Sequence, residues 1–297
     1  MIRSSTAAPP SSPTPARSRN PTIPAAKLTV RDVLERHDIV PRRRFGQNFL
    51  HDRRISRRIA DAAGLAAGES VLEIGPGLGA LTRPLLESGA AVTAIEIDPR
   101  VADFLEMEFA SHEAFTLIRG DVREADLDRL APDARALVAN LPYSITGPVL
   151  ALLVNRADRF DRALLMLQKE VAARLTAGAG GRELGAVSVL LRLQWRVERL
   201  FDVGRGAFIP APDVVSSVVR FTRIAGARLE ADVKDAVNRA YRQRRKMLRK
   251  TLAGTVADEA ALARALVALG HAEAARPEEL EPEEWPALLA AACGRTS

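Results

Sequence analysis

Ser70-Val-Leu-Glu-Ile-Gly-Pro-Gly-Leu-Gly79 joins a run of branched apolar residues to a turn with glycine at every second position. Glycines placed there let the backbone bend sharply and approach a ligand with no Cβ in the way, so the stretch reads as the β–loop–α opening of a nucleotide-binding sheet. Working outward, short apolar runs predict strands at Val71–Ile74, Ala91–Ile95, Phe115–Ile118, Ala136–Ala139 and Ala163–Leu167. Helical spacing separates them at Leu81–Leu86, Val101–Phe109 and Val149–Val154. Strands alternating with helices in this way build a parallel sheet covered on both faces. Gln194–Val203 and Val214–Phe221 are strand-like with no helix between them, which predicts an antiparallel edge pair. From about Ile224 the pattern is helical, at Asp232–Tyr241, Arg244–Leu252, Glu259–Leu269 and Pro282–Ala292. The expectation is an α/β domain over residues 27–223 and a small helical domain over residues 224–297.

The 297 residues carry 43 Lys and Arg against 37 Asp and Glu, a formal charge of +6. After Leu252 there are eight acids and three arginines, so the preceding body holds +11 and the end of the chain −5. A basic body suits an anionic partner, nucleic acid first among them, although only five of the 43 cations are Lys and an arginine bias also follows from base composition. Cys293 is the single cysteine, and His37, His51, His112 and His271 are scattered, so the chain offers neither a disulfide framework nor metal-ligand spacing. The expectation is therefore no metal and a reducing, cytoplasmic setting. Residues 1–26 contain six prolines among Ser, Thr, Ala and Arg and read as a disordered tail without a secretory core. The long uncharged run from Ala136 to Asn155 includes Asn140, Pro142, Tyr143, Gly147 and Pro148, which is strand–loop–helix chemistry and not a membrane span.

The glycine turn alone is compatible with a dinucleotide, since Gly75-x-Gly77-x-x-Ala80 fits a permissive fingerprint and Glu96 follows at the expected distance to take two ribose hydroxyls. Two features favour S-adenosylmethionine (SAM). Glu73 precedes the glycines, where a cationic ligand tolerates a carboxylate and a pyrophosphate does not. Gly120-Asp121-Val122 after the third strand places a carboxylate where an adenine amine can donate to it, although Asp121 reads equally well as a helix cap.

The fourth strand runs into Asn140-Leu141-Pro142-Tyr143. An exocyclic adenine amine is a poor nucleophile because its lone pair is delocalised into the ring. Acceptors on both N–H bonds, the Asn140 side-chain oxygen and the Leu141 carbonyl, draw that nitrogen toward a tetrahedral shape. Pro142 stiffens the turn, and Tyr143 offers a face for an extruded base, a contact worth roughly 1–3 kcal/mol. Positioning and electrostatics then do the catalysis without a strong base. Phe208-Ile-Pro-Ala-Pro212 carries an aromatic on a rigid loop, which suits a second stacking surface and also suits an ordinary core position.

Arg44-Phe-Gly-Gln47-Asn48-Phe-Leu50, Glu73–Gly79, Asn140–Tyr143, Met166-Leu-Gln168-Lys169-Glu170, Phe208–Pro212 with Val215-Ser216-Ser217, and Gln243-Arg-Arg-Lys246 together resemble the ribosomal RNA adenine dimethyltransferases, most closely the small-subunit (16S) branch. The likeness runs from about Arg42 to Leu252. It implies a Rossmann-like SAM-dependent methyltransferase domain with a mostly parallel seven-stranded sheet, followed by an RNA-binding helical domain. It implies dimethylation of N6 on two adjacent adenosines in the hairpin loop near the 3′ end of 16S rRNA, on the immature 30S particle, by a monomer with a role in subunit biogenesis. It also implies that Asn48 and Leu50 fold over SAM, with Gly75 along its methionine part, Glu96 on the ribose, Asp121 at the adenine and Asn140 near the methyl group. Arginines at 42–44, at 53, 54, 57 and 58 on an expected helix, and at 242–250 on another would grip phosphates. The alternatives are a 23S rRNA methyltransferase conferring macrolide resistance, a 30S assembly checkpoint factor and, more remotely, an NAD-dependent enzyme.

Overall fold

The computed structural model describes residues 29–42, 46–181, 183–255 and 259–293. The expected tail at 1–26 and the cations Arg43 and Arg44 lie outside them. Short helix α1 (Val30–Arg36) and the two-residue strand β1 (Phe49–Leu50) lead into α2 (Arg53–Ala63). Then come β2 (Ser70–Ile74), α3 (Thr82–Glu87), β3 (Ala91–Glu96), α4 (Pro99–Glu108), β4 (Phe115–Arg119), α5 (Leu127–Leu130), β5 (Ala136–Asn140), α6 (Thr146–Asn155) and β6 (Arg162–Gln168). Two more helices, α7 (Lys169–Thr176) and α8 (Ala186–Arg192), precede β7 (Trp195–Val203), β8 (Phe208–Ile209) and β9 (Ser216–Arg223). Among the described residues only helices follow, the α-helices being α9 (Ala231–Arg242), α10 (Leu248–Thr251), α11 (Glu259–Ala268) and α12 (Glu284–Ala292).

Seven strands form one sheet in the order β4-β3-β2-β5-β6-β9-β7. The first five are parallel; β9 runs antiparallel between β6 and β7. The chain moves outward from β2 through β3 to β4, then returns to the other side of β2 with β5. That reversal opens a crevice at the carboxyl ends of β2 and β5, the place where open α/β sheets take their ligands. The mostly parallel α/β sheet and the antiparallel edge pair are as the sequence predicts.

Both faces of the inner parallel strands β3, β2, β5 and β6 are largely buried, as a parallel sheet requires, while the edge strands β4 and β7 are partly exposed. On one face β2, β5 and β6 pack with α6 and α8, and the same apolar cluster continues into α9, α11 and α12, with Trp195, Phe221 and Trp285 at full burial. The other face packs against α2 and α3 through Ile59, Leu81 and Leu85. A third cluster holds Phe49 against Phe104 and Phe109 of the α4 region.

One predicted helix is wrong. Arg244–Leu252 is a turn over residues 243–246 followed by the four-residue α10. Arg244, Arg245 and Lys246 are all exposed, so that run has no apolar face to pack. The Leu248 N–H instead bonds the Ala275 carbonyl at 2.8 Å, and its side chain is fully buried. A tertiary contact therefore sets where the helix restarts.

Candidate functional site

Gly75 leaves β2 at φ +65°, its N–H bonded to the Ile95 carbonyl at 3.0 Å. A Cβ on it would point at Pro142 Cδ, 3.5 Å away, so the glycine turn and the turn after β5 touch across the crevice. Gly79 closes the turn at φ +76°, where a Cβ would lie 2.6 Å from the Phe109 ring. Only glycine meets both demands, positive φ and no side chain.

Glu73 is 1% exposed beneath this turn and accepts a hydrogen bond from the Thr82 hydroxyl at 2.6 Å. Burial pushes its carboxyl up to about 8; the Thr82 bond opposes that and the nearby Glu96 adds to it. Glu96, at the end of β3, accepts from the backbone N–H of Asp98 at 2.9 Å and of Gly77 at 3.4 Å. Burial outweighs those bonds and raises it to about 7. Both acids line one wall of the crevice, and among the described residues neither has an ion-pair partner, which leaves Glu96 to accept from a ligand's hydroxyls.

Asp121 follows β4 and is held differently from the expectation. Both of its oxygens accept from Arg123 Nε, at 3.0 and 2.9 Å, and one also takes the Arg123 backbone N–H at 2.9 Å. The guanidinium keeps this carboxyl below its ordinary range. An adenine amine reaching Asp121 therefore shares it with Arg123.

Asn140 ends β5 half-buried, and its side-chain amide makes no hydrogen bond among the described residues. Leu141 is 3% exposed, and the Pro142 carbonyl accepts from Ile145 N–H at 3.0 Å, closing the short turn that carries Tyr143. The Tyr143 hydroxyl lies 3.3 Å from Ser216 Oγ at the start of β9. Ser216 is buried, so this pairing also satisfies its own hydroxyl.

The segment before the sheet comes back over the crevice through a ribbon that the sequence reading missed. β1 pairs antiparallel with β8, Phe49 opposite Ile209 and Leu50 opposite Phe208. This buries Leu50 and Phe208, at 3% and 4% exposure, and brings Asn48 to the rim with Nδ2 donating to the Gly46 carbonyl at 3.2 Å. Phe208 sits within the apolar cluster and still faces the crevice. Asn48, Leu50, Gly75, Glu96, Asp121, Asn140, Leu141, Pro142, Tyr143 and Phe208 all line one cavity of about 240 Å³.

Asp98 and Arg123 are not singled out by the sequence, and Gln47 and Ser216 stand there only within motifs, without a role. Asp98 had a readable signal, since Asp before Pro99 is a helix N-cap pattern; it caps α4 at the Arg100 N–H, 3.1 Å away. The arginine clusters separate into two kinds. On α2, Arg57 ion-pairs with Glu87, and Arg58 stacks 3.6 Å from the Phe201 ring centre. The Arg242–Lys246 turn is exposed throughout.

Residues 40–275 match the family described as Ribosomal RNA adenine dimethylase. "Ribosomal RNA small subunit methyltransferase A" of Pseudomonas putida is 42% identical over 248 residues, covering 81% of this chain and 90% of that protein. Among solved structures, the 23S rRNA methyltransferase ErmE superposes with a TM-score of 0.68 at 28% identity, over 82% of this chain and 99% of that one. A dimethyladenosine transferase from Plasmodium falciparum shares the fold, with a TM-score of 0.71 at 24% identity over 81% of this chain and 96% of its own.

Proposed function

The chain belongs to the ribosomal RNA adenine dimethylases, and from that premise we propose how its own residues carry out the reaction. It is an enzyme, a SAM-dependent adenine-N6 dimethyltransferase of 16S rRNA; the 42% identity to a small-subunit methyltransferase against 28% to a large-subunit one makes the 23S alternative the weaker. What remains proposal is the target, two adjacent adenosines in the hairpin loop near the 3′ end within the immature 30S particle, with a monomeric, cytoplasmic and metal-free enzyme contributing to subunit biogenesis. Also proposed is the division of labour. Residues 27–223 hold the cofactor and the base, and residues 224–297 bind RNA, the exposed Arg242–Lys246 turn among them.

The observation that carries the reading is the free amide of Asn140, set at the crevice of β2 and β5 against the glycine turn. The wall fits SAM: a glycine turn without Cβ atoms, Glu96 for ribose hydroxyls, and beneath the turn the buried Glu73, whose raised carboxyl sets no full negative charge there near neutral pH. When bound, SAM supplies an electrophilic methyl group on a sulfonium centre. The Asn140 side-chain oxygen and the Leu141 carbonyl accept the two N6–H bonds, which frees the N6 lone pair to face the cofactor side. Tyr143, its hydroxyl fixed by Ser216, stacks the extruded base, and Phe208 walls the same cavity from β8. Transfer would break the S–CH3 bond, leave a neutral thioether behind and make N6 cationic and acidic, so that its proton passes to water without a dedicated base.

Mapping modified positions in rRNA from cells with and without the protein tests this directly. The Asn140→Ala variant should lose methyl transfer to unmodified 30S particles and keep SAM binding at least in part. Failure of the wild-type protein to methylate 30S particles in any assembly state refutes the proposal, and modification of 23S rRNA selects the other branch. Accumulation of the inactive variant on 30S precursors supports the biogenesis role.

A further inference from the structure

Gln47 lies between Gly46 and Asn48, on the rim of the crevice, and both ends of its amide are engaged. Its Oε1 accepts the Arg42 backbone N–H at 2.8 Å, and its Nε2 donates to Asp98 Oδ2 at 3.0 Å. Asp98 is 1% exposed. Its other oxygen caps α4, and its own N–H donates to Glu96 Oε1 at 2.9 Å. A continuous chain of hydrogen bonds thus runs from Glu96, through Asp98 and Gln47, to the backbone ahead of β1. Two stretches of the crevice lining, Asn48–Leu50 and Glu96–Ile97, are thus joined through this side chain.

We infer that Gln47 is a positioning residue for the cofactor: it holds the Asn48–Leu50 segment in register with the Glu96 end of the crevice. The inference rests on the reading of Asn48, Leu50 and Glu96 as SAM contacts. A simple filler side chain would not need a donor on one side and an acceptor on the other. Gln47 uses its amide in the one orientation that satisfies both neighbours, because the Arg42 N–H can only donate and the Asp98 carboxylate can only accept. Arg42 Nε, 3.9 Å from Asp98 Oδ2, is too distant to replace the amide bond.

The polarity of that bond gives a test that a packing role does not pass. Gln47→Glu keeps the acceptor for Arg42 and sets a carboxylate against Asp98. Asp98→Asn keeps the cap of α4, since Asn caps about as well as Asp, and sets an amide donor against the Gln47 donor. Each single variant should weaken SAM binding by roughly tenfold, near the upper end of what one net hydrogen bond supplies. The double variant restores a donor–acceptor pair with direction reversed and net charge unchanged, so its affinity should return to within about threefold of wild type. Titration calorimetry with SAM reads the affinities. Independently of any cofactor, Gln47→Ala should speed amide exchange at residues 46–50 while leaving β2 and β5 protected. Wild-type affinity in both single variants overturns the inference, as does a double variant no better than the singles. Unchanged exchange in Gln47→Ala also overturns it. Failure of the wild-type protein to bind SAM is a separate result and strikes the cofactor reading itself.

Discussion

Replacing Glu96 with glutamine keeps the shape of the side chain and removes a charge whose state is set near neutrality. Glu96 is 6% exposed, and burial lifts its carboxyl to about 7 although two backbone N–H groups pull the other way. Ribose hydroxyls donate to the ionised form; the protonated form loses acceptor capacity and offers a competing donor. With the midpoint near 7, about nine tenths of the carboxyl is ionised at pH 8 and about one tenth at pH 6. Apparent SAM affinity should therefore fall about tenfold from pH 8 to pH 6, or ~1.4 kcal/mol, with proton release on binding at the lower pH. Glu96→Gln loses one charged acceptor and should bind about 10- to 100-fold more weakly at pH 8, as a hydrogen bond to a charged group implies. Its pH dependence between 6 and 7 should be flatter than that of the wild type. The ligand's own amino group titrates near 8 in either case, so the difference between the two proteins isolates Glu96. Calorimetry in two buffers of different ionisation enthalpy measures both the affinity and the proton count. A wild-type affinity constant within twofold from pH 6 to 8 refutes the reasoning, and so does an unaltered slope in the variant.

Three further outcomes follow from the same geometry. Tyr143→Ala should raise the KM for RNA by the stacking contribution, about 1–3 kcal/mol, while the SAM dissociation constant stays put; a change in SAM binding instead would move Tyr143 to the cofactor side. Gly79→Ala combines a left-handed φ with a Cβ 2.6 Å from Phe109, so stability should drop by about 2–4 kcal/mol, seen as a fall in Tm of several degrees. A loss under one degree would mean that Phe109 yields freely. Glu73 holds its proton up to about pH 8 when folded and releases it near its ordinary value of about 4.5 when unfolded, so the folded state binds more protons in between and stability falls as pH rises from 5 to 8. Glu73→Gln should match the wild type near pH 5, exceed its Tm at pH 8 and flatten the slope; equal slopes in the two proteins would show that Glu73 titrates normally.

The parts legible from sequence are those with strong local signals. Five branched apolar runs are parallel strands, the four inner ones largely buried because a doubly covered sheet needs no polar alternation, and the glycines of 75–79 sit where backbone must turn. The Asn140 turn was readable because its chemistry demands particular residue types at a strand end. The β1–β8 ribbon was not: two residues on each side, nearly 160 positions apart, carry no period, and only the burial of Leu50 and Phe208 reveals them. Arg123 was hidden for a similar reason. Its hold on Asp121 spans two residues in an irregular loop, where no helical or strand spacing predicts side-chain meeting. The Arg244–Leu252 stretch misled because helix-forming residues were counted without asking what face they would bury.

The β1–β8 ribbon has a consequence for turnover. Dimethylation of one adenine consumes two cofactors in succession, so the spent one has to leave between the steps. On the proposed reading Leu50 serves the cofactor and Phe208 the base, and the two stand opposite each other in one antiparallel pair, so a single element borders both halves of the crevice. If exchange of the cofactor opens this pairing, the wall beside the singly methylated base opens with it.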